Sequence, residues 1–204
     1  MLISRRTELG LSKAGCKVWV CLIAFTLLIA CSPTLNWRTV QSPEQKYTAL
    51  FPGKPDKLER QIPFQDQELK QALDAVKVDG DIYSITSIRI LPNQSHLAQN
   101  VLEQLQNNLL NHAKVSGGQF STEDAYYQTA ANQRMPTKDY FITFKANGTA
   151  LQTMRVRWIS RPSNNGEIMI YQVSVLNSKA NTEDAKSTLS KDEYANFFNE
   201  FHPE

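Results

Sequence analysis

Histidine and cysteine are rare in this chain, at three residues each among 204. His96 and His112 lie in a segment with helical spacing, which places them on nearly opposite faces and about 24 Å apart along the axis. His202 lies near the end of the sequence. The chain also lacks H-E-x-x-H, G-x-S-x-G, and an S-x-x-K followed by K-T-G. We therefore expect no metal site, no cofactor and no catalytic residues, and we do not expect an enzyme.

The first thirty residues have the composition of a secretory signal. Residues 1–17 carry four basic residues and one acidic residue, and residues 18–30 (VWVCLIAFTLLIA) carry no charge. As a helix, the apolar run would be about 20 Å long, whereas a bilayer core is about 30 Å thick. A positive start, a short apolar stretch and small residues at its end predict a cleaved signal rather than a membrane span.

The apolar stretch ends in Leu28-Ile29-Ala30-Cys31, which resembles the lipobox of bacterial lipoproteins. The resemblance implies cleavage between Ala30 and Cys31 and attachment of fatty acyl chains, such as palmitate, through Cys31. Several acyl chains give stable membrane attachment, whereas one chain binds reversibly. By the same resemblance, Ser32 after the cysteine favours the periplasmic face of the outer membrane over the inner membrane. The alternatives are an ordinary signal peptide with an incidental cysteine, or an uncleaved signal anchor.

Cleavage would change the charge of the chain. Residues 31–204 contain 18 basic and 19 acidic residues, a formal charge of −1. Nucleic-acid binding requires a basic surface, so we do not expect it. Cys16 and Cys21 would leave with the signal, which excludes a disulfide framework from the mature protein.

The first half of the mature sequence predicts strands. We assign residues 31–45 to a lipidated tether and residues 46–204 to a single α+β domain. The predicted strands are 46–51, 57–62, 69–78 and 82–90, with Asp79-Gly80 as a hairpin turn between the last two. For residues 69–78 we favour a strand, although the segment also suits a helix by propensity.

The middle of the chain predicts a helix at residues 95–113, where apolar residues recur at three- and four-residue spacing. Ser95 is a candidate N-cap, and Gly117-Gly118 would stop the helix. Residues 117–138, which include Tyr126, Tyr127 and Met135-Pro136, lack a clear period. They read either as a long irregular loop or as two short strands.

The last third of the chain predicts a strand meander and a terminal helix. The predicted strands are 140–146, 149–160 and 168–176, with turns at Asn147-Gly148 and Asn164-Asn165-Gly166. In the final helix, Ser190 and Glu193 have the spacing of a capping box. An aromatic stripe that we expect to face the core is formed by Tyr194, Phe197, Phe198 and Phe201.

Strands in hairpins, interrupted by helices, indicate an α+β fold with an antiparallel sheet of about six or seven strands packed against two helices. The segment Tyr47–Pro55 (YTALFPGKP) resembles the opening of PsbP-like domains, a group that includes the LpqN- and DcrB-like envelope lipoproteins. The resemblance covers residues 37–202 in outline, and in letters only the FPGKP segment. It implies a sheet with packed helices in proteins that mostly bind or assemble, and it transfers no catalytic residue.

One group of residues predicts a partner surface. Arg155 and Arg157 alternate with Met154, Val156 and Trp158, so both arginines face one side of the sheet. With Tyr140 and Lys145 on the neighbouring strand, they could present a cationic, aromatic-edged surface to an acidic partner, an anionic lipid or a glycan. The alternative is an exposed sheet face on which arginine stems cover apolar surface.

These patterns predict a lipid-anchored envelope protein that faces the periplasm and has a non-enzymatic binding or assembly role. Its expected partners are the membrane, through lipid on Cys31, and an envelope protein. Two other functions remain open. A small-ligand carrier would need an apolar cavity of several hundred Å³, and a hydrolase of envelope substrates would need a cleft with paired, desolvated carboxylates.

Overall fold

A seven-stranded antiparallel sheet forms the centre of the described fold. The computed structural model describes residues 35–146, 150–178 and 184–204. Within these ranges the strands are β1 (Arg38–Ser42), β2 (Tyr47–Phe51), β3 (Asp56–Phe64), β4 (Gln67–Val78), β5 (Asp81–Ile90), β6 (Gln119–Gln128), β7 (Arg134–Ala146), β8 (Ala150–Pro162), β9 (Ile168–Asn177) and β10 (His202–Pro203). The helices are α1 (Ala98–Val115), α2 (Ala185–Leu189) and α3 (Asp192–Asn199).

The large sheet has the strand order β3-β4-β5-β9-β8-β7-β6, and its neighbouring strands are antiparallel. β3 and β6 are therefore its edges. A second, three-stranded sheet has the order β1-β2-β10. The α+β class and the antiparallel sheet of about seven strands are confirmed. The covering layer is more complex than the two predicted helices, since it also contains the second sheet.

The sheet is covered on both faces. α1 lies on one face, here called the helix face, where Val101 and Ala113 pack against apolar residues of the strands. On the opposite face lie the second sheet, α2 and α3. Each β-strand alternates its side chains between the two faces. Because both faces are covered, both must carry apolar residues. The part of the chain that the structure describes contains no helix long and apolar enough to span a bilayer.

The segment with competing helix and strand patterns, residues 69–78, is a strand. β4 pairs along its length with β3 and with β5, so both of its edges are hydrogen-bonded. Asp79 and Gly80 have φ angles of 52° and 90°, as a two-residue hairpin turn requires. A hairpin partner therefore outweighs the helical propensity of this segment.

Residues 119–128 and 134–146 are strands, so the loop interpretation of residues 117–138 is wrong and the two-strand alternative holds. β6 and β7 pair from Gln119↔Thr143 to Gln128↔Arg134. β6 is an edge strand with mostly exposed side chains. Because it buries little on either face, its sequence lacks the alternation that identifies a half-buried strand.

A 3-10 turn at residues 92–97 precedes α1, so Ser95 lies within this turn and is not the N-cap of the helix. The predicted stop is confirmed, because Gly117 adopts a φ of 77° and the Gly118 amide donates to the Ala113 carbonyl. A Cβ atom on Gly118 would lie 1.8 Å from the Thr143 carbonyl oxygen. Glycine is therefore required where the chain turns from α1 into β6.

The aromatic stripe is confirmed as a core face, because Tyr194, Phe197 and Phe198 on α3 and Phe201, just beyond its end, are almost completely buried against β2 and the large sheet. The predicted capping box is wrong. Ser190 has helical backbone angles and ends α2, with its amide bonded to the Lys186 carbonyl. Lys191 occupies the N-cap of α3, and its side chain makes no capping bond. Ser190 therefore belongs to the end of α2 and is not available to cap α3.

The structure also bears on the predicted turns and on the start of the folded unit. The turn at Gly166 is confirmed by a φ of 81°, whereas the turn predicted at Asn147-Gly148 lies outside the described residues. β1 pairs with β2 from Arg38↔Phe51 to Ser42↔Tyr47. The folded unit therefore begins before residue 46 and includes part of the segment that we assigned to the tether.

Candidate functional site at the edge of the sheet

Two arginines and one aspartate form a buried ion cluster on the face opposite α1. Asp139 on β7 lies directly across from Arg157 on β8, and Arg155 is two residues away on the same side of β8. Arg157 Nε lies 2.7 Å from Asp139 Oδ1, and Arg155 Nη2 lies 2.6 Å from Oδ2. The exposed fractions of the three residues are between 2% and 7%. These three residues are called the Arg–Asp cluster below.

The Arg–Asp cluster joins the sheet to the C-terminal helices. Arg155 donates from Nη1 to the Leu189 carbonyl at 3.1 Å, and Arg157 donates from Nη1 to the Phe198 carbonyl at 2.9 Å. Both carbonyls lie at helix C-terminal ends, where backbone acceptors lack helical partners. The Phe198 ring lies 4.2 Å from Arg155 Cζ, within the range of a cation–π contact.

The cluster has an excess of positive charge, because two guanidinium groups share one carboxylate. Burial lowers the pKa of Arg155, and the charge and hydrogen bonds of Asp139 oppose this shift. An arginine nevertheless stays protonated in proteins. Removing a charge from water is costly unless it is paired, so Asp139 is the residue that makes burial of both arginines tolerable.

The predicted partner surface is therefore wrong in its arginines. Arg155 and Arg157 do share one face, as their alternation predicted, but that face is covered by α2 and α3. Tyr140 pairs with Val156 and points to the other side, where its ring lies 4.9 Å from that of Trp158. Lys145 is exposed near the far end of β7, opposite Leu151. The four residues do not form one surface.

A cleft of about 490 Å³ opens beside the Arg–Asp cluster at the β6 edge. It is called the arginine cleft here. Its lining consists of residues 123–128, Arg134, Asp139, Arg155, Arg157 and Asn199. Across its mouth, Glu123 Oε2 lies 3.5 Å from Lys186 Nζ on α2.

A second cleft, of about 460 Å³, lies on the helix face of the same edge. It is called the aromatic groove here. Its lining consists of Gln106, Asp124, Ala125, Tyr126, Pro136, Thr137, Lys138, Tyr140 and Trp158. Tyr126 is 50% exposed, and the Arg134 guanidinium carbon lies 3.9 Å from the centre of its ring. The groove therefore presents aromatic rings with a cationic border.

The two clefts lie on opposite faces of one edge strand, and Asp124, Ala125 and Tyr126 border both of them. No strand among the described residues pairs with the outer edge of β6. The sequence does not reveal this site, because β6 lacks the alternation of a half-buried strand and no motif pairs Asp139 with the two arginines. The one signal in the sequence is the position of Asp139 directly before residues 140–144 of β7.

Among the described residues, the other buried carboxylates are Asp74 and Asp81, and tyrosine hydroxyls bond both. Tyr47 donates to Asp74 Oδ2, and Tyr194 donates to Asp81 Oδ2 at 2.8 Å. Burial, followed by the hydrogen bond to Asp74, raises the pKa of Tyr47 well above its usual range. Burial likewise raises the pKa of Tyr194. In both pairs the phenol is neutral near neutral pH, and each pair links the sheet to another layer.

His96, His112 and His202 are not brought together in one site. His112 lies 5.8 Å from Phe144 by ring centres, whereas His202 Nδ1 lies 3.1 Å from the Gln128 carbonyl oxygen. The described part of the chain contains no group of three histidine, cysteine, aspartate or glutamate residues suited to a metal ion. The proposed cleavage and lipidation residues, Ala30 and Cys31, lie outside the described residues.

Comparison with known proteins gives a similarity of fold only. No family model matches the chain, and no curated protein matches it significantly. Among solved structures, it is similar to cyanobacterial PsbP (CyanoP) of Synechocystis sp. PCC 6803, with a TM-score of 0.42 and 14% sequence identity. The match covers 86% of this chain and 98% of that chain.

Proposed function

We propose that this protein is a lipid-anchored envelope protein, held through Cys31 at the periplasmic face of the outer membrane, and that its domain binds another envelope protein without catalysing a reaction. The sequence supports the anchor, because a short uncharged stretch ends in Leu28-Ile29-Ala30-Cys31. LpqN- and DcrB-like lipoproteins are the group in which such an anchor would accompany a similar domain.

One structural observation carries the binding role: two solvent-open clefts flank a single unpaired edge strand. Phe120 and Tyr126 on this strand are large aromatic residues with exposed fractions of 37% and 50%. Aromatic residues and arginine are the types enriched at protein interfaces. An exposed edge strand also offers unpaired backbone donors and acceptors.

The geometry favours this role over the two alternatives. A carrier of an apolar ligand would enclose it in a largely apolar cavity, whereas both clefts are open and contain charged side chains. A hydrolase would use paired, desolvated carboxylates. Asp74 and Asp81 instead each bond a tyrosine hydroxyl, and Asp139 bonds both Arg155 and Arg157.

Photocrosslinking in intact cells tests the binding role. Benzoylphenylalanine would replace one of four exposed apolar residues at a time, namely Leu58, Val115, Phe120 and Tyr126. We expect a discrete protein adduct from at least one position in the lipidated wild-type background. Absence of a specific adduct from all four positions, with the protein correctly folded and membrane-bound, would contradict a binding role.

A further inference from the structure

We propose that β6 binds an extended segment of the partner as an additional strand of the large sheet, and that this segment alternates acidic and apolar side chains. This inference rests on the proposed binding function and specifies the site and chemistry of the partner. In such a complex, backbone hydrogen bonds supply affinity, and pockets for alternate side chains supply specificity.

The two edges of the large sheet differ in how they are protected. β3 (DKLERQIPF) carries Lys57, Glu59, Arg60 and Pro63. Charged side chains, and a proline that cannot donate a backbone hydrogen bond, are the usual means of preventing edge pairing. β6 (QFSTEDAYYQ) has no proline and only two charged residues, Glu123 and Asp124, and it carries three aromatic residues. The β6 edge therefore has less protection against an added strand.

The positions of the clefts match the geometry of an added strand. Successive side chains of a strand point to opposite faces, and an added strand would lie about 4.8 Å from β6. One set of its side chains would then point toward the arginine cleft, and the other set toward the aromatic groove. The β6 edge should therefore bind a segment with one type of residue on each face more tightly than a uniformly polar or uniformly apolar segment.

Charge favours an acidic residue on the side of the arginine cleft. The cationic side chains that line or border the arginine cleft are Arg134, Arg155, Arg157 and Lys186, and the anionic ones are Glu123, Asp124 and Asp139. The cationic groups exceed the anionic groups by one. Glu123 and Asp124 already face lysines at 3.5 Å and 3.8 Å, so they oppose an incoming carboxylate less than unpaired acids would.

The aromatic groove favours an apolar residue on the other face. Tyr140 and Trp158 form an edge-to-face pair at 4.9 Å, and the Phe120 ring lies 6.5 Å from that of Tyr140. α1 borders this row through Gln106 but leaves Tyr126 half-exposed. A branched or aromatic side chain placed over these rings would bury apolar surface, which is the main favourable contribution at most interfaces.

The test uses the folded mature chain and a synthetic ten-residue peptide that alternates glutamate with valine and tyrosine. Three matched peptides serve as comparisons: one with glutamine in place of glutamate, one with lysine in place of glutamate, and one N-methylated at alternate backbone amides. Amide resonances and amide hydrogen exchange would be followed at β6, with β3 as the internal control strand.

We expect saturable binding that slows hydrogen exchange of alternate β6 amides and leaves β3 unchanged. The N-methylated peptide should bind about tenfold more weakly or worse, because each lost hydrogen bond weakens binding by up to roughly that factor. The glutamine peptide should bind more weakly than the glutamate peptide, and the lysine peptide should bind weakest.

Two variants of the protein separate the edge from the rest of the surface. Phe120→Glu would place a negative charge on the β6 edge, and Leu58→Glu would do the same on β3. Both side chains are exposed, so both variants should fold. We expect Phe120→Glu to weaken binding of the glutamate peptide about tenfold or more and Leu58→Glu to leave it unchanged.

Four results would overturn the proposal: failure of the glutamate peptide to bind, equal affinity for the N-methylated peptide, protection of β3 instead of β6, or pairing of β6 with a second copy of the chain in the free protein. Photocrosslinking distinguishes these failures from failure of the binding role itself. Adducts from Leu58 or Val115, with none from Phe120 or Tyr126, would support a binding role elsewhere and reject the β6 site. Absence of adducts from all four positions would reject the binding role as well.

Discussion

Asp139 is the residue on which the buried charges of this domain depend. It accepts hydrogen bonds from both Arg155 and Arg157, each with a side chain at most 9% exposed. Alternation in β8 indicated that the two arginines share a face, but their burial could not be predicted. It arises from α2 and α3, which are distant in sequence, and from the pairing of β7 with β8.

We expect Asp139→Asn to lower the free energy of unfolding by about 3–5 kcal/mol, because it leaves two buried guanidinium groups without a counter-charge. Asp124→Asn on β6 is the matched control. Its carboxylate is exposed and lies 3.8 Å from Lys138, so the change should be below about 1 kcal/mol. Denaturant unfolding of both variants measures the difference, and equal effects would refute the role assigned to Asp139.

Buried phenols make the fold sensitive to high pH. Burial is the largest cause of the raised pKa values of four tyrosines, Tyr47, Tyr83, Tyr171 and Tyr194. A raised folded-state pKa means that these groups contribute full stability below the unfolded-state pKa of about 10 and lose it above that pH. We therefore expect the free energy of unfolding to fall steeply as pH rises beyond about 10.

Phenolate absorbance and denaturant unfolding, recorded across this pH range, check this expectation. Phenolate from the buried tyrosines should appear together with unfolding. Tyr47→Phe should reduce the slope by roughly 1.4 kcal/mol per pH unit, the contribution of one titrating group. Ionisation of all seven tyrosines of the chain near pH ~10 while the protein remains folded would show that burial does not raise the pKa of these groups.

The helices and strands that could be predicted are those formed by residues close together in the sequence. Asp79-Gly80 joined two apolar runs, which identified β4 and β5 correctly, and glycines marked the end of α1. The second sheet could not be predicted, because it brings together β1, β2 and β10 from the two ends of the described chain. The candidate site depends on β6, an edge strand that buries few side chains, so its pattern carries little information about its structure.

The terminal helix α3 is stabilised by the burial of its aromatic rings, whereas its N-terminus lacks a side-chain cap. We expect Phe197→Ala to lower the free energy of unfolding by about 3–5 kcal/mol, because Phe197 is fully buried. Ser190→Ala should change it by less than about 0.5 kcal/mol, since Ser190 is exposed and is not the N-cap. Thermal or denaturant unfolding compares the two variants. A large effect of Ser190→Ala would show that Ser190 does cap α3.

The described fold as a whole is stabilised without any cysteine. Its layers are joined by aromatic packing, tyrosine–carboxylate bonds and the Arg–Asp cluster. We expect residues 36–204 to fold as a soluble monomer whose melting temperature is the same with and without dithiothreitol. A shift in melting temperature on reduction would contradict this expectation.

The proposed location and role both depend on processing at Cys31. Mass spectrometry of the intact protein, extracted from the membranes of the bacterium that makes it, tests this most directly. We predict a polypeptide that begins at Cys31 and carries the mass of covalently attached acyl chains, and we predict no acylation of the Cys31→Ala variant. An uncleaved polypeptide of 204 residues without acyl groups would contradict the anchor and, with it, the proposed function.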